Sequence, residues 1–194
     1  MPLWLRQEVQ EVPRRLEPPE PPLADDLIRL APMAQSDHAE LLPLVGDPAV
    51  ERFTLLPSGA DAGFVEGWIA HYERGWEEET RAGFVARDVV GGALVAFAAI
   101  VHLDLGAQEG ELGYLVLPAA RGRGVAGRAV GLLTRWGFDE LGLERLELRI
   151  DTANTASVRV AERSGYRLDG VLRNAHFKEG LRSDTGIWSR LRTD

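Results

Sequence analysis

Glycine and arginine are concentrated in one short stretch, RGRGVAGRA, at residues 121–129. Glycine lets the backbone approach a ligand closely, and the first N–H groups of a helix have no intrahelical acceptor. These N–H groups lie at the positive end of the helix, where an anion such as a diphosphate is stabilised. Arg121 and Arg123 would add charge that a phosphate can use. The stretch therefore predicts a diphosphate-binding loop that leads into a helix.

The same stretch has two other interpretations. Residues 122–127 match the G-x-G-x-x-G string of dinucleotide-binding folds, but that fingerprint requires the glycines directly after a strand within a repeated β-α-β series. Here Pro118 to Arg121 separate the strand from the glycines, and the preceding strands form a meander. The second interpretation is an arginine-glycine segment that binds nucleic acid. Because the segment occurs once and the chain has a net charge of −8, we expect no nucleic-acid partner.

Composition limits the remaining classes of protein. With 194 residues, 45% of them hydrophobic, the chain is long enough for one domain with a full core. It has no cysteine, which excludes disulfides, thiolate zinc sites and a cysteine nucleophile, and we expect no metal cofactor. No apolar run is long enough for a signal peptide or a membrane span. These features predict a soluble cytoplasmic protein that does not bind membranes.

Proline density and hydrophobic periodicity divide the chain into an arm and a domain. Residues 1–25 form a proline-rich N-terminal arm, and residues 26–194 form the domain. The domain begins with a strand and two helices and continues with three strands that form an antiparallel meander. The loop of residues 121–127, a helix, a strand, a helix capped by Asn154 and a final hairpin around KEG follow. This order predicts a mixed α/β (α+β) domain around one sheet.

Two motifs of this chain resemble the GNAT N-acetyltransferase superfamily. The first is ELGYLVLPAARGRGVAGRAV, in which the R/Q-x-x-G-x-G/A signature falls on Arg121, Gly124 and Ala126. The second is NTASVRVAERSGYRLDGVLRNAHF, which is similar to the branch that includes the ribosomal-protein N-terminal acetyltransferases. The resemblance covers roughly residue 26 to the C-terminus. It implies the GNAT fold, in which a mostly antiparallel, splayed sheet is flanked by helices, and it implies acetyl-CoA as the co-substrate.

The resemblance also implies roles for individual residues in cofactor binding. The backbone of Leu115, Val116 and Leu117 would pair with the pantetheine arm, much as a peptide strand adds to an open sheet edge. Asn154 would hydrogen-bond the pantetheine, although a helix N-cap alone would explain it. The pyrophosphate would lie on the backbone of the loop, which comprises Arg121, Gly122, Arg123, Gly124, Val125, Ala126 and Gly127.

Three residues are implied as catalytic groups. Ser157 would help to protonate the leaving thiolate, and Tyr166 is an alternative proton donor, although a tyrosine that opens a strand is more often in the core. Attack on the thioester needs a neutral amine and therefore a base. His176 occupies the place where the related enzymes tend to have a glutamate, and its ordinary pKa suits a base near neutrality. A histidine packed beside Phe177 is the competing interpretation.

Other candidates for the base are Glu111, Glu147 and His102. The overall prediction is an N-acetyltransferase that transfers acetyl from acetyl-CoA to a primary amine, either a protein N-terminus or a small molecule, by direct attack in a ternary complex. The aromatic residues Trp68, Tyr72, Trp76 and Trp188 would line the acceptor cleft or lie in the core. Two alternatives are a CoA-binding regulatory protein without turnover and a dinucleotide-binding oxidoreductase. A homodimer is compatible with the sequence.

Overall fold

A seven-stranded sheet forms the centre of the protein in the computed structural model, which describes residues 15–194. The strand order is β1-β2-β3-β4-β5-β7-β6, and every neighbouring pair is antiparallel except β4 and β5, which are parallel. The predicted mixed, mostly antiparallel sheet is therefore confirmed. The strands are β1 (Ile28–Pro32), β2 (Ala82–Asp88), β3 (Leu94–Asp104), β4 (Glu109–Val116), β5 (Arg145–Asp151), β6 (Arg167–Lys178) and β7 (Leu181–Leu191).

Helices cover both faces of the sheet. Successive side chains of a strand point to opposite faces, and on β3 Ala98 belongs to one core cluster while Phe97 and Ala99 belong to the other. The first cluster packs against α4 and α5, and the second packs against α1 and α3. The helices are α1 (His38–Val45), α2 (Pro48–Phe53), α3 (Ala62–Glu77), α4 (Val125–Asp139) and α5 (Thr155–Arg163).

The sheet opens between its two parallel strands. β4 and β5 pair only from Glu109 opposite Arg145 to Glu111 opposite Glu147. Beyond this point β4 stays with β3, whereas β5 stays with β7 as far as Asp151. The result is a wedge-shaped opening, which we call the gap, and Glu111 lies at its closed end. The predicted splay of the sheet is thus present.

Local signals predicted most of the elements. Asn154 caps α5 by accepting a hydrogen bond from the N–H of Ser157 at 3.1 Å, and Gly165 beyond that helix has a φ of +78°. The hairpin around KEG is present as β6 and β7. The sequence analysis above does not predict helix α2, although an Asp N-cap followed by Pro in the first helical position, as at Asp47 and Pro48, is a common helix start.

The described part of the N-terminal arm lies on the body of the domain. Leu16 is 5% exposed and belongs to the core, and its N–H donates to Glu79 Oε1 at 2.9 Å. Ala24 forms a bridge with Arg29 of β1. Residues 1–14 of the predicted arm lie outside the described residues, so the domain boundary at residue 26 stays a prediction.

Candidate functional site

The edge of β4 that borders the gap presents free backbone groups. Leu117 N–H donates to Val95 O at 3.0 Å, and on the other side Gln108 O accepts from Glu144 N–H at 2.7 Å. Backbone groups of a strand alternate in direction, so the odd-numbered residues of this segment face β3 and the even-numbered residues face β5. Tyr114 and Val116 therefore turn their N–H and C=O groups away from β3 and towards the gap, where the Val116 C=O accepts from Arg121 Nε at 3.2 Å. Of the three residues of the predicted pantetheine strand, the geometry favours Val116, because Leu115 and Leu117 turn their backbone groups towards β3.

A continuous run of backbone N–H groups follows at the start of α4. Within residues 15–194, the N–H groups of residues 122–127 have no hydrogen-bond acceptor, and the next N–H group, that of Arg128, donates to Gly124 O at 3.1 Å. Gly122 and Gly124 have φ values of +75° and +83°, a conformation that glycine adopts without strain. Gly124 is the N-cap and supplies no side chain to cap the helix. These N–H groups form a cradle for an anion.

Gly127 supports the same interpretation by a separate route. It lies inside α4 with an ordinary φ, and a Cβ built there would meet no atom within 4 Å. A glycine in a helix costs about 0.5–1 kcal/mol relative to alanine, and neither backbone conformation nor packing requires one here. The surface above the first turn of α4 is therefore open at Gly127.

The arginines of the loop are engaged elsewhere. Arg121 contacts Asp47 Oδ1 at 2.6 Å and donates from Nε to Val116 O at 3.2 Å. Arg123 contacts Asp88 Oδ2 at 2.8 Å. Both guanidinium groups are neutralised by carboxylates. The geometry therefore does not favour the prediction that these arginines provide positive charge for a phosphate. Arg121 instead fixes the loop against helix α2.

Cations that lack carboxylate partners lie beside the cradle. A cavity of about 490 Å³ opens between the start of α4 and the end of α5. Among the described residues, Arg163 and Arg190 make no ion pair, and Arg190 donates to Ser164 O at 3.0 Å. The sequence motifs single out neither arginine, since both are 42 or more positions away from Arg121. The lining residues are Gly124, Gly127, Arg128, Gly131, Arg163, Ser164, Gly165 and Arg190.

Asn154 and Ser157 lie on the α5 side of the gap. The Asn154 carboxamide oxygen is used to cap the helix, which leaves its NH₂ group as a donor. Ser157 is half-buried and lies near Tyr114 of β4. Burial raises the pKa of Tyr114, and the neighbouring Ser157 hydroxyl offsets part of that rise. The two hydroxyls do not meet hydrogen-bond geometry, so Tyr114 Oη has no partner among the described residues.

Tyr166 lies elsewhere, in the core. It is 3% exposed, its hydroxyl bonds Thr134 Oγ1 at 2.9 Å, and Thr134 in turn donates to Val130 O. Burial raises the pKa of Tyr166 to about 12. A tyrosine that is buried and already bonded is a poor proton donor to a ligand, so the geometry favours the structural interpretation of Tyr166.

Glu111 stands at the closed end of the gap. It lines a cavity of about 570 Å³ on the α3 side of the sheet, and no ion pair or hydrogen bond to its carboxylate is present within residues 15–194. Burial raises the pKa of Glu111, Arg149 lowers it and Glu147 raises it again, with a net upward shift. The cavity is lined by Thr80, Arg81, His102, Leu103, Asp104, Glu109, Gly110, Glu111, Arg145, Glu147 and Arg149.

The other two candidates in this cavity have weaker geometry for a base. Glu147 is neutralised by Arg145 at 2.7 Å and by Arg149 at 3.5 Å. His102 is exposed and sits at the rim. Glu111 is therefore the carboxylate of this cavity that is most available for proton transfer.

His176 lies on the β6–β7 hairpin, away from Glu111. It is paired with Ser183 of β7, whereas Glu147, the neighbour of Glu111, is paired with Ser189. Six residues of strand separate Ser183 from Ser189, which corresponds to about 20 Å. His176 Nε2 is buried without a partner among the described residues. The structure does not bring the two candidate bases together.

Helix α2 connects the hairpin to the cofactor side. Lys178 Nζ donates to Glu51 O and to Leu56 O, the latter at 2.6 Å, at the C-terminal end of α2. At the other end, Asp47 caps α2 and binds Arg121. Burial acts to raise the pKa of Asp47, but Arg121 and two backbone N–H groups outweigh it and hold that pKa below its ordinary value. Asp47, Arg121 and Lys178 form what we call the α2 clamp.

The aromatic side chains that could have lined an acceptor cleft lie mainly in the core. Trp68, Tyr72 and Trp188 are no more than 9% exposed. Trp68 and Tyr72 pack against Phe97, and Trp76 packs against Trp136. Their helical spacing reflects packing of α3 on the sheet.

Comparison with known proteins identifies the class of this fold and site. Residues 28–167 match the family model described as an acetyltransferase (GNAT) domain. The match covers most of the chain, which therefore belongs to the GNAT acetyltransferase family.

Individual relatives are distant. The chain is 27% identical over 173 residues to the probable N-acetyltransferase YjcK of Bacillus subtilis, covering 86% of this chain and 95% of that protein. It is 32% identical to the uncharacterized N-acetyltransferase YoaA of Bacillus subtilis, but the match spans 42% of this chain and 46% of that protein. Its match to spermidine N(1)-acetyltransferase of Escherichia coli is 26% identical and covers 56% of this chain and 58% of that protein.

Solved structures agree on the fold. The ribosomal L7/L12 α-N-protein acetyltransferase RimL in complex with coenzyme A superposes with a TM-score of 0.79 at 16% identity, covering 88% of this chain and 96% of that one. In the part of the chain that the structure describes, no helix could cross a membrane and no group of residues could hold a metal ion.

Proposed function

We propose that this protein transfers an acetyl group from acetyl-CoA to a primary amine by direct attack in a ternary complex. One observation carries the proposal: backbone N–H groups without acceptors lie on the open edge of β4, and a second set lies a few residues further along the chain, in the N–H cradle of residues 122–127. This surface offers strand pairing to an amide-bearing arm and helix N–H groups to its diphosphate. The pantetheine and pyrophosphate of CoA have this chemistry.

The orientation of this surface selects the base. A ligand whose diphosphate lies on residues 122–127 extends its arm back along β4, towards Glu111 at the closed end of the gap. Because burial raises the pKa of Glu111, this carboxylate is a better base near neutrality than an ordinary glutamate. Glu111 would take a proton from the ammonium form of the acceptor.

Positioning and backbone donors supply the rest of the catalysis in this proposal. Amine and thioester are held together in one gap, which replaces a bimolecular encounter. The N–H groups of Tyr114 and Val116 point into the gap and are available to the oxygen that gains negative charge. Ser157 and Asn154 face the same space from α5.

The acceptor is proposed to enter from the cavity that Glu111 lines. Its other carboxylates, Glu109 and Asp104, have no cationic partner among the described residues, and this suits a positively charged amine. Among the relatives, one is named for spermidine and one for a ribosomal protein N-terminus. Both acceptors contain a primary amine, so the two belong in the same screen.

A screen of thiol release tests the proposal. Because the chain has no cysteine, a thiol reagent reports only the CoA that is produced. Wild-type protein with acetyl-CoA is assayed against a panel of polyamines, amino acids and N-terminal peptides. At least one amine is expected to accelerate thiol release, with the acetylated amine seen by mass spectrometry.

Ligand binding separates the alternatives. Stabilisation by CoA without thiol release from any amine would support a CoA-binding protein without turnover. Stabilisation by NAD but not by CoA would instead support the oxidoreductase and overturn the proposal.

A further inference from the structure

Arg81 is a cation that the fold fixes in place without giving it a carboxylate. It lines the cavity that contains Glu111, and it makes no ion pair within residues 15–194. Its Nη1 donates a hydrogen bond to Nε2 of His71. A guanidinium has donors only, so this histidine nitrogen is the acceptor and His71 is neutral. The contact orients Arg81 and leaves its charge uncompensated.

His71 is suited to this role because its charged form is disfavoured. Partial burial lowers the pKa of His71, and the charges of Arg81 and Arg74 lower it further, while Glu78 offsets part of the shift. A neutral imidazole presents one acceptor nitrogen and one donor nitrogen. His71 therefore accepts from Arg81 at neutral pH and adds no negative charge to the cavity.

A glycine of α3 makes room for the aliphatic part of the Arg81 side chain. A Cβ built on Gly75 would lie 1.9 Å from Arg81 Cγ and 2.6 Å from Arg81 Cδ, so any other residue at position 75 would displace this arginine. The Arg81 backbone N–H also donates to Gly75 O at 3.3 Å. The side chain is thus held at its base by α3 and at its guanidinium by His71.

Strand register places Glu111 close to Arg81 on the same face of the sheet. Ala82 of β2 and Leu112 of β4 are both paired with Ile100 of β3, from opposite sides. Arg81 and Glu111 are each next to this row, so their Cα atoms are about 10 Å apart, which is two strand spacings. Leu112 belongs to the core on the α4 side. Glu111 therefore faces the other side, where α3 and Arg81 lie.

The opposite charges of Arg81 and Glu111 share one cavity without neutralising each other. No ion pair joins them, because Arg81 is held by α3. Both charges act on the Tyr72 hydroxyl: burial raises the pKa of Tyr72 to about 12, and of the two charges Arg81 lowers it and Glu111 raises it. A cavity that keeps opposite charges apart is complementary to a ligand that carries opposite charges of its own.

Thr80 adds a second polar group next to Arg81. It lines the same cavity, and its Oγ1 is buried without a hydrogen-bond partner among the described residues. Buried polar groups without a partner are uncommon in folded proteins, so a ligand in this cavity is a natural source of one. A carboxylate has two oxygens and can accept from a guanidinium and a hydroxyl together.

We propose that the acceptor is a zwitterion, a primary amine that carries a carboxylate a few bonds away, and that Arg81 binds this carboxylate. The inference rests on the proposed function and names the class of its acceptor. The amine lies at Glu111, and the carboxylate lies at Arg81 with the Thr80 hydroxyl as a further donor. One fixed cation matches one negative charge. A polyamine offers no group that Arg81 can bind, and its positive charges are repelled by this guanidinium.

Matched pairs of acceptors test the contact. Glycine, β-alanine and γ-aminobutyrate are assayed for thiol release with acetyl-CoA beside their amides, which keep the amine and lose the negative charge. For at least one pair, kcat/KM of wild type should be about tenfold higher for the acid, because a hydrogen bond between charged groups is strong. In Arg81→Met, which keeps an aliphatic chain against Gly75, this ratio should fall below about twofold through loss on the acid. Comparing ratios between proteins removes the difference in amine basicity within a pair.

Arg74→Met is the matched control. Arg74 is an exposed cation of the same helix that holds Arg81, has no ion pair within residues 15–194 and does not line the cavity. Its removal changes the net charge as Arg81→Met does, and it should keep the preference for the acid. Calorimetric affinity for CoA should equal that of wild type in both variants, which shows that both are folded.

The outcomes separate this inference from the proposed function. Equal kcat/KM for acids and amides in wild type, a preference for the acid that survives in Arg81→Met, or one that is lost equally in Arg74→Met would overturn the inference. Acetylation of spermidine but of none of the acids would also overturn it, while the proposed function would stand. If no amine of any kind causes thiol release, the proposed function fails instead.

Discussion

The two sides of the gap are built in different ways. On the cofactor side, the exposed edge of β4, the N–H cradle and helix α4 follow one another in the chain between Glu109 and Asp139. On the proposed acceptor side, the cavity that Glu111 lines is formed by the loop before β2, the end of β3, the start of β4 and β5, which are far apart in sequence. The first side is a continuous motif, and the second depends on the tertiary fold. A site formed by neighbours in the chain is easier to locate from the sequence than one formed by the tertiary fold.

The largest expected effect comes from removing the carboxylate that joins the two sides. Glu111→Gln should lower kcat about 10²–10³-fold at neutral pH, since general base catalysis contributes on this order. Binding of CoA should be unchanged by calorimetry. His176→Gln is the comparison, and its kcat should stay within about threefold of wild type. A larger loss of kcat in His176→Gln than in Glu111→Gln would indicate that His176, on the hairpin, is the base.

Glu111→Gln should be more stable than wild type at neutral pH, although it is less active. The folded-state pKa of Glu111 is raised by burial, so the folded protein holds its proton more tightly and ionisation at higher pH opposes folding. Removing the charge should therefore raise Tm above the folded pKa and have little effect below the ordinary glutamate pKa. A thermal scan at pH 4 and pH 8 measures the difference.

A substitution in the N-cap of α4 tests the cofactor side alone. Gly124 has a φ of +83°, so Gly124→Ala introduces backbone strain of about 1 kcal/mol and moves the N–H cradle. We expect CoA affinity to fall about tenfold by calorimetry. Gly67→Ala in α3 is the matched control, because a Cβ there meets nothing within 4 Å and φ is ordinary. It should stabilise the protein slightly and leave CoA affinity as it is; equal affinities of the two variants for CoA would count against the cradle.

The ion pair between Asp47 and Arg121 in the α2 clamp should contribute to the free energy of unfolding in a pH-dependent way. The folded-state pKa of Asp47 is lowered, so its stabilisation is present above the unfolded pKa of about 3.9 and is lost as pH falls through the folded value. Asp47→Asn should lower the free energy of unfolding by about 1 kcal/mol at pH 7 and by little at pH 3, measured with urea. Asp61→Asn, at an N-cap without an ion pair, should show a much smaller change between the two pH values.

The smallest effect is expected at the other end of the clamp. Lys178→Met should raise KM for the acceptor about threefold, because two carbonyl groups at the end of α2 lose their donor. Affinity for CoA should not change. Arg182→Met removes a cation from the same hairpin that lies over the Phe177 ring and donates to Asn174 O, and its KM should match wild type. A CoA affinity that falls in Lys178→Met would show that the two sides are not separable.

The sequence predicted the cofactor side in outline because that side depends on neighbours in the chain. Glycine positions and the N-cap at Asn154 are local signals, and they indicated the loop of residues 121–127 and the start of α5, whereas the splay of the sheet was implied by the family resemblance. Arg121 was found by the same signals, but its role was not, because Asp47 lies 74 residues away.

The acceptor side resisted prediction for the same physical reason. Whether a base is effective depends on burial and on nearby charges, and Glu111 and Glu147 differ only in these. The histidine at position 176 had the more suitable ordinary pKa, but strand register separates it from the closed end of the gap. Spacing in sequence carries none of this information.

The lysine of the α2 clamp has a consequence for the protein as a chemical target. Among 22 basic residues this chain has a single lysine, Lys178, and its ammonium group is committed to two backbone carbonyls. Arginine, which makes up the remainder, is not acylated by thioesters because its guanidinium stays protonated. A protein that works with an acetyl donor thus offers that donor no exposed lysine of its own. Its surface charge should remain constant in a solution rich in acetyl-CoA.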